Sequence, residues 1–478
     1  MISSNALRFH WIADLESKRV ETLRFARALF GLGPSPFLLG GVVQQHLESC
    51  RNEYKDMVEE IERSLYVDDL ISGGPTVEDA QQVKLVSTEI FSQASFEMHK
   101  WHSNAVELEP SSFASGAEPE TCAKEQLGVP EQGDTTLLGL AWNKSKDTIA
   151  VKFPTERAEV TKRGILGKVA KVYDPLGLVS PTTLGGKFLY REACELKIAW
   201  DRSLPEELMK RWSKWESSLP EKVYAPRSIA KHRERIKNVD LHCFGDASGK
   251  GVSAALYAVV SQPSGVAVGL VTAKSRLAKQ GLSIPRLELV SGHMATNLIV
   301  NVRNALEGFP VGELHCWLDS TVALHWIRGT RVYKQFVSNR VLKIKEHSEV
   351  KWHHVGTREN PADLGSRSGS VQESKLWWKG PEWLVNRECC PPDIVTSSTA
   401  ETQAEAKVVR ELFAATVVKP ADEIDALLNK FSLWKTLRIC AWISRFVHNA
   451  SIPQEPKDYS PLWRSTRGGY SGRDGHKV

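Results

Sequence analysis

The sequence predicts a multidomain protein of mixed α+β and α/β class, centred on three antiparallel strands followed by helix, strand, helix, strand and helix. Three observations predict it. The chain has 478 residues, too many for one ordinary core. Between positions 237 and 372, short apolar runs and helical patterns follow one another in that order. In the same stretch four acids, Asp246, Glu288, Asp319 and Asp363, stand at two strand ends and two helix starts. Taken singly, each is explained as a turn former or a favourable first-turn charge. Four in an order able to converge at one sheet edge point instead to metal ligands.

Composition sets the outer limits. An apolar fraction of 41% with 25% charged residues is that of a globular chain, not a disordered one. The net charge of +5 permits nucleic-acid binding, but local clusters have to carry that argument. Eight scattered cysteines form no ligand set, and the adjacent Cys389 and Cys390 are poorly spaced for zinc. They read as reduced residues of an intracellular protein. No apolar run is long enough to span a membrane. Met1 to His10 lacks the basic region and apolar core of a signal peptide. The 15 tryptophans suit core and interface use, with stacking on bases as the alternative.

Taken in order, the first block runs over 1–105. Glu21 to Phe30 is charged on one face and apolar on the other, until Gly31, Gly33, Pro34 and Pro36 impose a stiff turn. Helices are expected from Pro36 to Cys50, with proline in the first turn, and from Asn52 to Arg63. Leu65–Val67 and Leu70–Ile71 then flank Asp68 and Asp69 as a hairpin. Adjacent carboxylates at such a tip repel one another unless a cation sits there, although an ordinary Asp turn remains the alternative. Thr76 and Asp79 cap a helix from Val77 to about Ala94.

Y-V-D-D between apolar residues, preceded by G-P-S-P-F and followed by Phe96, Lys100, Trp101, Ser103 and Asn104, resembles the reverse transcriptase of the BEL/Pao class of LTR retrotransposons. The resemblance implies a right-hand palm in which Asp68, and more loosely Asp69, binds catalytic Mg2+ (or Mn2+), with Lys100 and Trp101 near a template-primer. Two cations about 3.5–4 Å apart need a further carboxylate from a separate strand. In that family it lies upstream of a segment that Arg8, Phe9, His10 and Trp11 resemble, and Asp14 lies on the wrong side. The fingers and first half of the palm are therefore expected to be missing, with an exposed apolar surface and no autonomous DNA synthesis.

A polar linker follows over 106–132. The thumb and connection stretch is expected over 133–236. T-T-L-L-G-L-A-W-N and D-T-I-A-V-K-F read as strands around a turn at Lys144 to Asp147. Next comes a helix with Ile165, Val169 and Val172 on one face and Lys162, Arg163, Lys168 and Lys171 along the rest. Lys168 and Lys171 are candidates to follow a nucleic-acid backbone, a solvated charged face being the alternative. Tyr173 to Leu178, Trp200-Asp201 and the Trp212/Trp215 pair resemble the same family, which carries a peptidase label in this neighbourhood. Aspartic peptidase chemistry needs D-[TS]-G, and both Asp319-Ser320-Thr321 and Asp246-Ala247-Ser248-Gly249 break that pattern.

Over 237–372, Val239–Phe244 alternates and ends at Gly245-Asp246, Gly251–Val260 and Ala267–Ala273 are the next strands, and Pro285 opens a helix carrying Glu288. Leu314–Leu318 ends in Asp319; helices from Ser320 to Ile327 and Val332 to Glu346 lead to a last strand, Val350–Val355. Asn360 and Pro361 start the helix holding Asp363. The spacing and the terminal N-P-A-D-L-G-S-R resemble ribonuclease H of reverse-transcribing elements. That resemblance implies a mixed five-stranded sheet with flanking helices and two Mg2+ (or Mn2+) ions held by Asp246, Glu288, Asp319 and Asp363. It also implies cleavage of RNA in an RNA/DNA hybrid, with Ser248, Ser320 and Asn360 contacting sugars and phosphates. His353 and His354 read as structural, with proton handling as the alternative. A non-catalytic nucleic-acid-binding relic is the competing function.

The remainder, 373–478, holds Leu376–Leu384 with the aromatics of a docking segment, a Ser/Thr/Pro-rich exposed stretch over Cys389–Ala404, and a helical block over Ile424–Phe446. In the resembled family these lead to integrase; no zinc set follows here, and the glycine-rich end reads as unstructured. The resemblance implies other Pol segments as partners, no membrane, and a cytoplasmic, virus-like-particle or nuclear setting.

Overall fold

The computed structural model describes residues 8–14, 16–25, 31–109, 134–386, 389–407 and 423–450. Most of the predicted linker and the whole glycine-rich end lie outside the described residues. Among the described residues no helix is long and apolar enough to cross a membrane. The chain divides into two compact units, Met1–Lys407 and Val408–Val478.

The first unit begins with Arg8–Asp14 (β1) paired antiparallel to Arg19–Arg24 (β2). Glu21 to Arg24, the start of the two-faced stretch, thus lies in a strand. Ser35–Cys50 (α1) starts behind Pro34 with Pro36 in its first turn, and Lys55–Ser64 (α2) packs on it through Val58 and Ile61. Leu65–Tyr66 (β3) and Asp69–Leu70 (β4) form the hairpin, with Tyr66 opposite Asp69. The turn is thus Val67-Asp68 rather than Asp68-Asp69, and Val67 adopts φ +56°, a left-handed conformation that costs a β-branched residue about 1–3 kcal/mol. Val77–Gln93 (α3) follows, capped as expected by the Thr76 hydroxyl oxygen, which accepts from Asp79 N–H. Phe37 and Val42 on α1 remain exposed.

Asp134–Leu137 (β5), Leu140–Asn143 (β6) and Thr148–Lys152 (β7) form an antiparallel sheet completed by Lys222–Pro226 (β8). T-T-L-L-G-L-A-W-N is therefore two strands, turned at Leu138-Gly139, both at positive φ. Between β7 and β8 lie Lys162–Ala170 (α4), Ser180–Glu195 (α5) and Glu206–Ser217 (α6). Ile165, Leu189, Leu208 and the fully buried Trp212 hold these three helices together.

Asn238–Ala247 (β9), Gly251–Gln262 (β10), Gly265–Leu277 (β11), Val311–Leu318 (β12) and Val350–His354 (β13) build the central sheet in the order β11-β10-β9-β12-β13. The first three pair antiparallel, and β12 runs parallel to both β9 and β13. Strand β9 is buried almost throughout instead of alternating, as expected where both faces of a sheet are covered. On one face Leu241, Cys243 and Cys316 pack against Ala295 and Ile299 of Ile284–Ala305 (α7). Thr321–Arg328 (α8) and Gln335–Lys345 (α9) extend this layer through Trp326, Tyr333 and Val337. On the other face Phe244, Tyr257 and Trp317 join one apolar cluster with Trp142, Val151 and Val223 of the four-stranded sheet. The predicted boundary at 236/237 is therefore a change of sheet within one core.

Ala362–Arg367 (α10) and Lys375–Lys379 (α11) close that second face. The aromatics of Leu376–Leu384 dock onto the protein's own core. Trp377 is fully buried, its indole N–H donates to Leu178 O at 2.9 Å, and the Tyr257 hydroxyl donates to Trp377 O at 2.7 Å. Ala400–Ala404 (α12) returns to the sheet domain, with Thr402 buried within an otherwise exposed stretch. In the second unit Glu423–Lys430 (α13) and Leu433–Ala450 (α14) replace the single expected block, breaking at Phe431-Ser432.

Replacing Trp377 by Ala removes a fully buried indole and should destabilise the first unit by about 3–5 kcal/mol. Urea unfolding followed by tryptophan fluorescence reads this as a lower midpoint; an unchanged midpoint would contradict the packing described.

Candidate metal centre

The parallel pairing of β9 with β12 sets Leu318 opposite Gly245, so the next residue of each strand, Asp319 and Asp246, leaves the sheet at the same end. Helix α7 crosses this end with Glu288 in its second turn. Its close approach depends on Gly245, where a Cβ would stand 2.7 Å from Leu318 Cδ2 and 3.1 Å from Ser291 Oγ. One carboxylate oxygen from each of Asp246, Glu288 and Asp319 lies within 4.8 Å of the others. Among the described residues this is the one cluster of three or more such groups with metal-ligand geometry.

Each acid is held by a neutral donor. The Ser366 hydroxyl donates to Asp246 Oδ2, the Thr357 hydroxyl donates to Asp319 Oδ2 at 3.0 Å, and the Ala247 N–H donates to Glu288. Burial, reinforced by the charge of Asp319, raises the Asp246 carboxyl to about 7. Burial with the charges of Asp246 and Asp319 raises Glu288 to about 9. Asp319 is also raised, chiefly by burial. Glu288 Oε2 is buried with no hydrogen-bond partner. An orphaned carboxylate oxygen beside two other acids is a costly arrangement that a divalent cation relieves, and an all-oxygen donor set suits a hard cation. The residues present therefore fit a divalent metal.

Asp363 stands at the rim, outside the cluster of three. Its Oδ1 accepts from Arg367 Nε at 2.5 Å, an i,i+4 pair on α10. Asp68 and Asp69 are exposed on their hairpin and belong to no such cluster.

The other candidate residues have settings of their own. Asn360 is buried, donating to Gly245 O at 2.9 Å and accepting from Ala362 N–H at 3.1 Å, so it ties β9 to α10 rather than facing a ligand. The Ser320 hydroxyl oxygen caps α8 by accepting from Ala323 N–H, and the Ser248 hydroxyl donates to Ser366 O. Lys168 is buried; its ammonium donates to Glu156 O and pairs with Glu216 at 3.3 Å, so it cannot lie along a phosphate backbone. Lys171 is exposed beside Glu156, Lys100 is exposed, and Trp101 lies under Lys84 with the ammonium 5.5 Å from the ring centre. His353 has a structural setting. Its Nε2 is 3.0 Å from His315 Nδ1, it stacks on Trp317, and burial with the neighbouring His315 lowers it to about 4. Ser366 and Thr357 escaped notice from sequence; the one signal available for Ser366 was its position one helical turn after Asp363 in N-P-A-D-L-G-S-R.

Residues 161–320 match the family described as the Pao retrotransposon-like RNaseH-like domain. The chain carries a stretch similar to the Pao-type RNase H-like domain. The match straddles the 236/237 boundary, running over α4 to α6 as well as β9 to β12. Mixed strands flanked by helices, in the order found here, are those of an RNase H-like fold. Solved structures that resemble the chain include the N-terminal RNase H domain from Mycobacterium tuberculosis fused to maltose-binding protein, 14% identical, covering 27% of this chain and 90% of that one at a TM-score of 0.20. LC11-RNase H1 in complex with an RNA/DNA hybrid is 15% identical over 26% and 91%, also at 0.20. The foamy viral protease-reverse transcriptase in complex with double-stranded DNA is 14% identical over 73% and 63%, at 0.37. No curated protein matches the chain.

Because Asp246 and Glu288 hold protons more tightly in the folded chain than in the unfolded one, their contribution favours folding at low pH. It is lost as pH rises through about 7 and about 9. In chelator, the melting temperature of the first unit should therefore fall between about pH 5 and pH 9, and a divalent cation should restore it at the upper end. Asp246→Asn should flatten both responses. Thermal melts across pH, with and without the cation, check this; a melting temperature that rises with pH in chelator contradicts the raised acids.

Proposed function

We propose that the chain is a metal-dependent ribonuclease H, cleaving the RNA strand of an RNA/DNA hybrid endonucleolytically at the Asp246, Glu288 and Asp319 centre. The observation that carries this reading is the convergence of the three acids, from two strand ends and one helix, within 4.8 Å, with Glu288 Oε2 left unpartnered. Two Mg2+ or Mn2+ ions bound there would activate the attacking water and stabilise the charge on the leaving 3′-oxygen. The protein's part is to hold ligands fixed. Asp246 and Asp319 extend from strands locked in a five-stranded sheet, and Glu288 is fixed by Ala247 N–H and by the helix around Ser291. Asp363, one turn from Ser366, is the fourth acid of the proposed set.

A second reading, binding of nucleic acid without cleavage, draws on one observation: Asp363 is already engaged by Arg367. Polymerisation receives no comparable support, because the exposed Asp68 and Asp69 have no third carboxylate beside them among the described residues.

Incubation of the full chain with a labelled RNA/DNA hybrid in Mg2+ or Mn2+ separates the readings. Internal cleavage of the RNA strand is expected, with chelator abolishing it. Asp319→Asn should lower the rate by more than about 100-fold, beyond the loss usual for residues that merely support a ligand. Asp68→Asn should leave it unchanged. Hybrid binding without any cleavage in either metal supports the binding-only reading, and cleavage that survives Asp319→Asn removes the assignment.

A further inference from the structure

We propose that Ser366 and Thr357 are positioning residues of the carboxylate centre, each fixing the one acid it touches so that a defined oxygen is left for the cations. This inference rests on reading the centre as a metal site. A carboxylate at the end of a short side chain turns readily about its last bond, because that torsion has no sharp staggered wells. Neither β9 nor β12 can fix it. Ser366 occupies Oδ2 of Asp246 and Thr357 occupies Oδ2 of Asp319, while Ala247 N–H holds Glu288 and leaves its Oε2 free.

The chemistry of the donors matters as much as their place. A lysine or arginine in either position would orient the acid equally well but cancel the charge that draws a divalent cation. A hydroxyl orients and leaves the charge intact. Ser366 is fully buried, and its carbonyl oxygen accepts from the Ser248 hydroxyl at 2.8 Å, which fixes the backbone beneath it. The preceding Gly365 lets α10 sit directly on β10, since a Cβ there would collide with Ser253. Without that approach the Ser366 hydroxyl would fall short of Asp246. Thr357, in an exposed turn after β13, is held less firmly, so its part is the smaller.

The test uses the full chain, with Mn2+ binding followed by calorimetry and hybrid cleavage followed in parallel. Ser366→Ala should weaken Mn2+ binding about 10–100-fold and lower kcat in step, leaving KM for the hybrid within about twofold of wild type. Thr357→Val should do the same to a smaller extent, and Thr357→Ser, which keeps the hydroxyl, should restore wild-type behaviour. Ser366→Ala with wild-type Mn2+ affinity overturns the proposal, and so does failure of Thr357→Ser to outperform Thr357→Val. Weakened Mn2+ binding in Ser366→Ala, in a chain whose wild type binds Mn2+ but never cleaves the hybrid, upholds the positioning role while removing the ribonuclease reading. Cleavage by wild type and Ser366→Ala at equal rates does the reverse. A wild-type chain that binds no Mn2+ overturns both.

Discussion

The parallel pairing of β9 with β12 is the constraint on which the remainder of the site depends. It makes neighbours of two strands separated in sequence by a hairpin pair and a long helix, and it aligns their ends so that two acids emerge side by side. Helix α7 supplies the crossover that parallel pairing requires and carries the third acid to the same place. A slip of one residue in this register would turn Asp246 or Asp319 to the opposite face of the sheet.

Mutual repulsion is the companion to that alignment. Three carboxyl groups at a buried sheet end are stable only when protons, hydrogen-bond donors or a cation offset the charge. The structure uses donors for one oxygen of each acid and leaves Glu288 Oε2 without one. The histidines on the adjoining face show the opposite solution. His242 and His353 are pushed down to about 3 and about 4 by burial and by one another's neighbour His315, so they stack as neutral rings against Trp317. Acids and imidazoles thus sit on neighbouring parts of one sheet with little charge pairing between them.

What was legible in the sequence followed from local chemistry. Thr76 caps a helix, Pro36 and Pro285 fall in first turns, and Asp246 and Asp319 end apolar runs. These signals need only a few neighbouring residues. Features that depend on distant partners were hidden. Trp377 reads as a docking aromatic until Leu178, nearly two hundred positions earlier, receives its N–H. Lys168 reads as a surface cation until Glu216 arrives from α6, and Asn360 reads as a ligand contact until Gly245 stands beneath it. The Val67-Asp68 turn shows a subtler limit. Turn chemistry favours Asp-Asp at the tip, and the pairing of Tyr66 with Asp69 overrides it.

The cluster that joins Trp142, Val151 and Val223 to Phe244, Tyr257 and Trp317 has an evolutionary consequence. A module whose apolar surface is complete can be exchanged between genes as a cassette. The five-stranded sheet is not such a cassette, since separating it from the four-stranded sheet would strip the far side of the strands that carry Asp246 and Asp319. Recombination that joined the five-stranded sheet to a foreign partner would leave the strands of the acid centre with an unmatched apolar face.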